Sequence, residues 1–267
     1  MPSYKRLLIA SSKGGVGKST TALGLAVAYA RDGKRVLLAD LDPTSRSLDL
    51  LTGSEDDALF DFGDIIAGED IESVALSPVK TLPSLFFVPA YHLDRMNEIC
   101  ENIGKTEDEA LRDGIEKLID GFEFDYFICD TGGGISIPCA IADLFDMILI
   151  TSEQSKTSIR AAEYAADEMQ KKGAKAMRLV ICSFDLEAVK KENRAGIIEM
   201  IDSSFLSCVG VVPFDRALQK TQDKGIMPDE DSLSALAYRN ISKRISGFDT
   251  RLFDGMGRLG KKRVKAF

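Results

Sequence analysis

The sequence predicts a doubly wound α/β fold, a mostly parallel sheet with helices on both faces. Three observations carry this expectation. Short runs that are apolar throughout recur at 7–10, 36–39, 85–88, 126–129, 147–150, 179–182 and 209–212, and unbroken apolar runs mark strands buried on both faces of a parallel sheet. Segments with helical apolar spacing separate most of them, an alternation that builds right-handed β-α-β crossovers. Several runs also end in glycines or carboxylates, at the strand edge where such sheets hold ligands.

The first run, Leu7-Leu8-Ile9-Ala10, leads into Ser11-Ser12-Lys13-Gly14-Gly15-Val16-Gly17-Lys18-Ser19-Thr20. A helical stripe of Leu23, Ala26, Val27 and Ala30 follows. Strand, glycine-rich turn and helix form the setting of a phosphate loop. Glycines let backbone N–H groups close around phosphate oxygens, and the helix N-terminus adds partial positive charge. Lys18 then reaches the terminal phosphates, and Ser19 offers its hydroxyl to Mg²⁺. The general spacing G-x-x-x-x-G-K-[ST] is not met, because Ser12 stands where the first glycine belongs. A second lysine, Lys13, directly precedes the glycine pair. The plain alternative is a glycine-rich turn with two surface lysines.

Lys13-Gly14-Gly15-Val16-Gly17-Lys18-Ser19 resembles the deviant Walker A box of the MinD/ParA family of P-loop ATPases. In that family the early lysine crosses to the partner subunit's nucleotide on dimerisation. The resemblance therefore implies that role for Lys13, an ATP-dependent homodimer, and ATP with Mg²⁺ as ligands. It also implies that Lys13, Gly14, Gly15, Val16, Gly17, Lys18, Ser19 and Thr20 form the nucleotide cradle.

Asp32-Gly33 closes the first helix, and Arg35-Val36-Leu37-Leu38-Ala39-Asp40 reads as the second strand. Asp40-Leu41-Asp42-Pro43 resembles the family's second motif. By that match Asp42 orients the attacking water and faces the Mg²⁺ shell, while Asp40 supports the metal's hydration; a solvated acidic turn is the alternative. The next stretch, Ser47-Leu48-Asp49-Leu50-Leu51-Thr52-Gly53, resembles the MinD branch more than the plasmid ParA branch. Residues 55–80 are acidic and mixed, with a short helix suggested by Phe60, Phe62, Ile65 and Ile66. Leu85-Phe86-Phe87-Val88 reads as a third strand stopped by Pro89. His92, the one histidine, falls in the loop or helix start beyond it and receives no role. A helix is expected over 107–120, with Leu111, Ile115, Leu118 and Ile119 on one face.

Asp125-Tyr126-Phe127-Ile128-Cys129-Asp130 places a carboxylate at a strand end beside the phosphate loop, the Walker B arrangement, where Asp130 holds Mg²⁺ directly or through water. Thr131-Gly132-Gly133-Gly134-Ile135-Ser136 is a loop of high backbone freedom whose shape a γ-phosphate can set. That loop resembles the flagellar-number relatives of MinD at least as much as MinD itself. Strands at 147–151, 179–182 and 209–212 complete the sheet, with helices over 155–172, near 195–201 and over 233–245. The family recognises adenine at two places. Cys182-Ser183-Phe184-Asp185 stands where an asparagine is usual, a departure, whereas Pro213-Phe214-Asp215 matches the Pro-x-Asp. The resemblance thus implies that Pro213 and Asp215 meet the base, with ATP favoured over GTP.

The 267 residues suit one large domain, 1–247, followed by a tail, 248–267. In that tail Phe248, Leu252, Phe253, Met256 and Leu259 are helically spaced, and Arg258, Lys261, Lys262, Arg263 and Lys265 follow. The tail reads either as a membrane-surface helix or as a terminal helix packed on the domain, the latter favoured by Gly255, Gly257 and Gly260. The net charge of −8 disfavours a surface that coats nucleic acid, so specific nucleic-acid binding is not expected. Five scattered cysteines support neither a disulfide framework nor a zinc site. With no apolar run of 18 residues and no signal-peptide core, a cytoplasmic protein is expected. The expected function is a MinD-like ATPase switch, dimerised by ATP and reset by hydrolysis, that positions a regulatory partner at the membrane, cell pole or division site. Two alternatives use the same scaffold. A metallocluster or nickel-insertion ATPase would need paired cysteines, and only Cys139 follows Asp130 closely; a ParA-type DNA-segregating ATPase would need a basic face.

Overall fold

All seven expected strands are present in the computed structural model, which describes residues 5–55, 59–75, 82–191, 193–222, 224–225 and 229–252. They are β1 (Arg6–Ala10), β2 (Val36–Leu41), β3 (Leu85–Val88), β4 (Tyr126–Thr131), β5 (Met147–Ser152), β6 (Met177–Phe184) and β7 (Cys208–Pro213). They form one sheet in the order β3-β2-β4-β1-β5-β6-β7, and every pairing is parallel. The helices are α1 (Lys18–Arg31), α2 (Ser47–Thr52), α3 (Phe62–Ala67), α4 (Ile71–Val74), α5 (Leu93–Ile103), α6 (Glu107–Gly121), α7 (Ser136–Ile141), α8 (Lys156–Lys171), α9 (Leu186–Lys190), α10 (Ile197–Ser204), α11 (Arg216–Gln222) and α12 (Leu233–Ile245).

The apolar runs work because successive side chains point to opposite faces and both faces are covered. Leu8, Leu37, Ala39 and Phe127 enter one core, with Met96 and Ile99 of α5, Leu111, Ile115 and Leu118 of α6, and Ile159 and Met169 of α8. Leu7, Ile9, Leu38 and Ile128 enter the other, with Leu25 and Ala26 of α1 and Ala237, Tyr238 and Ile241 of α12. Each fully buried large apolar side chain contributes about 1.5–3 kcal/mol of transfer free energy, so the sheet is held from both sides. Helix starts follow local chemistry. Thr106 and Glu109 make a reciprocal capping box for α6, and Ser155 and Ser232 cap α8 and α12.

From central β1 the chain moves out to β2 and β3, returns to β4 beside β1, and only then crosses to β5, β6 and β7 on the other side. Loops that diverge on either side of β1 open a crevice at the strands' C-terminal edge, the ligand position of such sheets. Three expected boundaries shift. The helix expected near 195 starts at Ile197, with Gly196 extended before it; the helix over 155–172 keeps Ser155 as its cap; and β6 runs to Phe184, past Cys182. At the far end, Arg244 Nη1 donates to the Thr250 carbonyl oxygen (2.7 Å) and Leu252 packs against the core, so 248–252 folds back on the domain. The rest of the expected tail, 253–267, lies outside the described residues.

Candidate functional site

The crevice is floored by the loop between β1 and α1. Gly17, immediately before α1, has φ 87° and ψ 26°, a left-handed conformation that glycine enters without steric cost. It offers no capping side chain, so the first N–H groups of α1 remain available to an anion. Space as well as conformation selects glycine there, because a Cβ would lie 3.2 Å from that of Cys182 on β6. Val16 is buried beneath the loop, and Gly14 and Gly15 are exposed above it. Ser19 and Thr20, half-buried, lie in the first turn of α1. The Lys18 side chain is buried and its Nζ donates to the Lys13 carbonyl oxygen (3.4 Å). Burial lowers the Lys18 pKa, while Asp130 and Asp42 oppose that shift by favouring its charge.

Three carboxylates meet this loop because parallel register aligns their strands. Asp40 on β2 pairs with Asp130 on β4, which in turn pairs with Ile9 on β1. Asp40 is fully buried; its Oδ1 accepts from the Asp42 N–H (2.8 Å) and its Oδ2 from the Leu48 N–H (3.2 Å). Burial, and then Asp130, push its pKa well above the carboxylate range, and the two N–H groups only partly offset this. Asp42 lies just beyond β2, buried, with Oδ1 accepting from the N–H groups of Thr44 and Ser45 (3.1 Å each). Asp130 is also fully buried, and neither of its side-chain oxygens has a hydrogen-bond partner. Burial pushes its pKa up to about 7, against the nearby Ser19 hydroxyl and Lys18 ammonium, which favour the charged form without closing a hydrogen bond to it. A buried carboxylate with both oxygens unsatisfied is the feature a hard divalent cation would complete, so the donor set of Ser19, Asp42 and Asp130 fits Mg²⁺.

The glycine loop after β4 closes the crevice. A Cβ at Gly132 would come 2.9 Å from Asp42 Oδ1, and one at Gly133 would come 3.3 Å from the Gly14 Cα. Ser11 and Gly134 form an isolated antiparallel bridge. The loop expected to respond to a γ-phosphate therefore touches both the phosphate loop and Asp42.

Lys13 points elsewhere. Its Nζ donates to the Ser158 hydroxyl (2.8 Å) and lies 3.9 Å from Glu153 Oε2, at the start of α8. Beside it the Ser12 hydroxyl donates to the Ala161 carbonyl oxygen of α8 (2.8 Å), which gives the residue at the missing-glycine position a structural use. Ser47 also joins the site, donating to the Ser19 hydroxyl (2.8 Å). Sequence reasoning singled out neither Ser47 nor Ser158, since their partners lie 28 and 145 residues away.

At the stretch expected to meet the base, Pro213 ends β7 and Asp215 precedes α11. Asp215 Oδ2 accepts from the N–H (3.0 Å) and hydroxyl (2.7 Å) of Ser234, and Oδ1 accepts from the Ala217 N–H (2.9 Å). Against the upward push of burial, these bonds hold its pKa below the usual range. Asp185, in the stretch that departs from asparagine, caps α9 through the N–H groups of Glu187 and Ala188.

A parallel sheet of this order, a glycine loop opening a helix, a buried lysine and strand-end carboxylates define a P-loop nucleoside triphosphatase. The model of the CobQ/CobB/MinD/ParA nucleotide binding domain matches residues 7–228, and the chain belongs to that family as a MinD/ParA family ATPase. It is 30% identical over 255 residues to the septum site-determining protein MinD of a Synechocystis strain, covering 94% of this chain and 92% of that one. The MinC:MinD cell division protein complex of Aquifex aeolicus contains a chain that superposes with a TM-score of 0.82 at 24% identity, covering 94% of this chain and 98% of that one. MinD of Pyrococcus horikoshii, solved with Mg-ADP, superposes at 0.75 with 20% identity, covering 90% and 95%.

Proposed function

We propose that this chain is a MinD-like switch: it binds ATP with Mg²⁺, dimerises, engages a partner protein or membrane, and is reset by hydrolysis. The observation that carries this reading is the division of labour between two lysines. Lys18 lies buried in the phosphate cradle, while Lys13 is turned aside onto Ser158 and Glu153. Such a lysine makes chemical sense when it answers charge on a second subunit's nucleotide.

Backbone N–H groups from Gly14 to Ser19 and the Lys18 ammonium bind the phosphates; Thr20 continues the first turn of α1 beneath them. Ser19, Asp42 and Asp130 would hold the Mg²⁺, which supplies charge neutralisation across the β- and γ-phosphates when bound. Asp40 fixes the Asp42 backbone, and the N–H groups of Thr44 and Ser45 fix the Asp42 carboxylate, so that Asp42 can orient a water for attack. Pro213 and the backbone around Asp215 provide the base side of the cleft.

Among the described residues no helix is long and apolar enough to cross a membrane. The proposed location is the cytoplasm, with peripheral membrane contact through 248–267 and an unidentified regulatory protein as partner. Light scattering with ATP and with ADP tests the switch. Wild type should dimerise only with ATP, and Asp42→Ala should accumulate as an ATP-bound dimer that does not turn over. A chain that stays monomeric with ATP in both forms overturns the reading. Vesicle sedimentation of the full chain against one truncated after Gly247 tests the membrane arm.

A further inference from the structure

We infer that His92 is a positioning residue for the catalytic loop: its imidazole accepts from the Arg46 guanidinium and so keeps residues 42–48 in the turn that presents Asp42 to the phosphate cradle. The inference rests on the reading above, in which Asp42 directs the attacking water.

The turn is unusual at one point. Arg46 has φ 43° and ψ 45°, left-handed backbone for a residue with a long side chain. Nothing about an arginine favours that conformation, since its Cβ crowds the following carbonyl oxygen. Yet the turn is tightly tied at this residue, whose N–H donates to the Asp42 carbonyl oxygen (2.9 Å). On either side, Asp42 is held by Thr44 and Ser45, and Ser47 bonds Ser19 of the phosphate loop. The strained residue therefore sits between the proposed water-directing carboxylate and the proposed metal ligand's hydrogen-bond partner. Strain of this kind persists only where the surroundings over-determine it.

The Arg46 side chain shows what does so. Its Nη1 donates to His92 Nε2 (2.7 Å), and its Nη2 lies 3.4 Å from Asp49 Oδ2 on α2. Asp49 belongs to the same turn and short helix as Arg46, three residues on. His92 belongs to a different element. It is the N-cap residue of α5, following β3, and the Met96 N–H donates to its carbonyl oxygen (2.9 Å). Its neighbour Tyr91 is buried and donates from its hydroxyl to Glu107 of α6 (2.8 Å). The histidine thus ties the loop to the start of α5, an element separate in sequence from the loop itself. Because guanidinium can only donate, Nε2 must carry a lone pair, which puts the ring proton on Nδ1.

Single-turnover hydrolysis at saturating Mg·ATP reads the effect. Releasing strain at one left-handed non-glycine residue corresponds to a shift in the turn's population of about five- to tenfold. His92→Ala should accordingly lower the rate constant about fivefold, with ATP affinity and dimerisation within about twofold of wild type. His92→Gln, whose side-chain oxygen still accepts from Arg46, should recover most of the loss. The decisive variant is Arg46→Gly, which takes the left-handed backbone without a clamp. In that background His92→Ala should cost nothing further, a full coupling in the double-mutant cycle. The inference is overturned if His92→Ala hydrolyses at the wild-type rate, or if its loss is the same with glycine at 46. Asp42→Ala run in parallel separates the two readings. If that variant still turns over, the role given to Asp42 fails; if it is inactive and His92→Ala is not impaired, only the positioning role fails.

Discussion

Asp130→Asn is the substitution that most directly probes how the site is built. Asp130 is fully buried beside Asp40 and Asp42, with both oxygens unsatisfied, and burial lifts its pKa from 3.8 to about 7. A carboxylate whose pKa is raised on folding binds its proton more tightly in the native state than in the unfolded chain. The native state is therefore favoured below the unfolded pKa, and stability falls as pH rises from about 4 to about 7, then levels off. Three pKa units correspond to about 4 kcal/mol, an upper bound because Asp40 shares the same proton economy. Asparagine removes the charge and hence this loss. It also deprives Lys18 of a counter-charge, which returns part of the gain. A net stabilisation of ~2 kcal/mol at pH 8 is expected, or about 4–8 °C in melting temperature for a domain of this size.

Differential scanning calorimetry of the nucleotide-free protein at pH 4.5 and pH 8, with Mg²⁺ chelated, measures it. The variant should melt above wild type at pH 8 and level with it at pH 4.5. Adding Mg·ADP should reverse the order at pH 8, because on the proposed reading the wild-type carboxylate would complete the cation's donor set and asparagine would not. An asparagine variant that melts at or below wild type at pH 8 without ligand would refute the idea that this carboxylate is held ready at the expense of stability.

Two further outcomes follow from the same geometry. Lys18→Ala should abolish ATP binding in a calorimetric titration, since among the described residues it is the lysine buried in the cradle. Gly24→Ala should destabilise the domain by about 1–3 kcal/mol in chemical denaturation, because a Cβ there would sit 2.3 Å from the Tyr238 ring of α12; per-molecule ATP binding by the folded fraction should be unchanged.

The strands were legible because each is buried on both faces, and unbroken apolar character is the residue-level trace of that burial. The phosphate loop and the three carboxylates were legible because strand-end placement is a matter of counting along the chain. What the sequence hid depends on contacts between distant segments. Helix α2 is six residues long and left-handed at both flanking positions, with Leu48 as its one buried apolar side chain, so it has no stripe to detect. Helix α5 buries only Met96 and Ile99. The left-handed backbone at Arg46 and its link to His92, 46 residues away, leave no mark in local composition. Ser12 could be seen as a departure from a motif, but its hydroxyl is used by a helix carbonyl 149 residues later. The position of Lys13 follows the same rule: its chemistry was visible, and its resting place on Ser158 was not.

On the proposed reading, charge explains why one subunit is not enough. Asp40, Asp42 and Asp130 bring three carboxylates to the cradle against the ammonium of Lys18, the one buried lysine among the described residues. Even with one proton held between Asp40 and Asp130, the protein side of the site is negative before any phosphate arrives. A triphosphate adds more negative charge, so Mg²⁺ must accompany it, and the cation neutralises the carboxylates as much as the nucleotide. As charge moves onto the leaving phosphate oxygens during hydrolysis, the shortfall grows. Further positive charge placed in a dry, preorganised site is what lowers such a barrier. Lys13, beside the loop, is engaged with Ser158 of α8 and with Glu153 in the connection before it. On that reading the further charge comes from the same lysine of a second copy of the chain. Lys13→Ala should therefore bind ATP as a monomer at near wild-type strength yet neither dimerise nor hydrolyse it. Mixing it with Asp42→Ala should restore some dimer, since one of the two sites then receives a lysine from across the interface. Light scattering that finds Lys13→Ala dimerising normally with ATP would place the missing charge elsewhere.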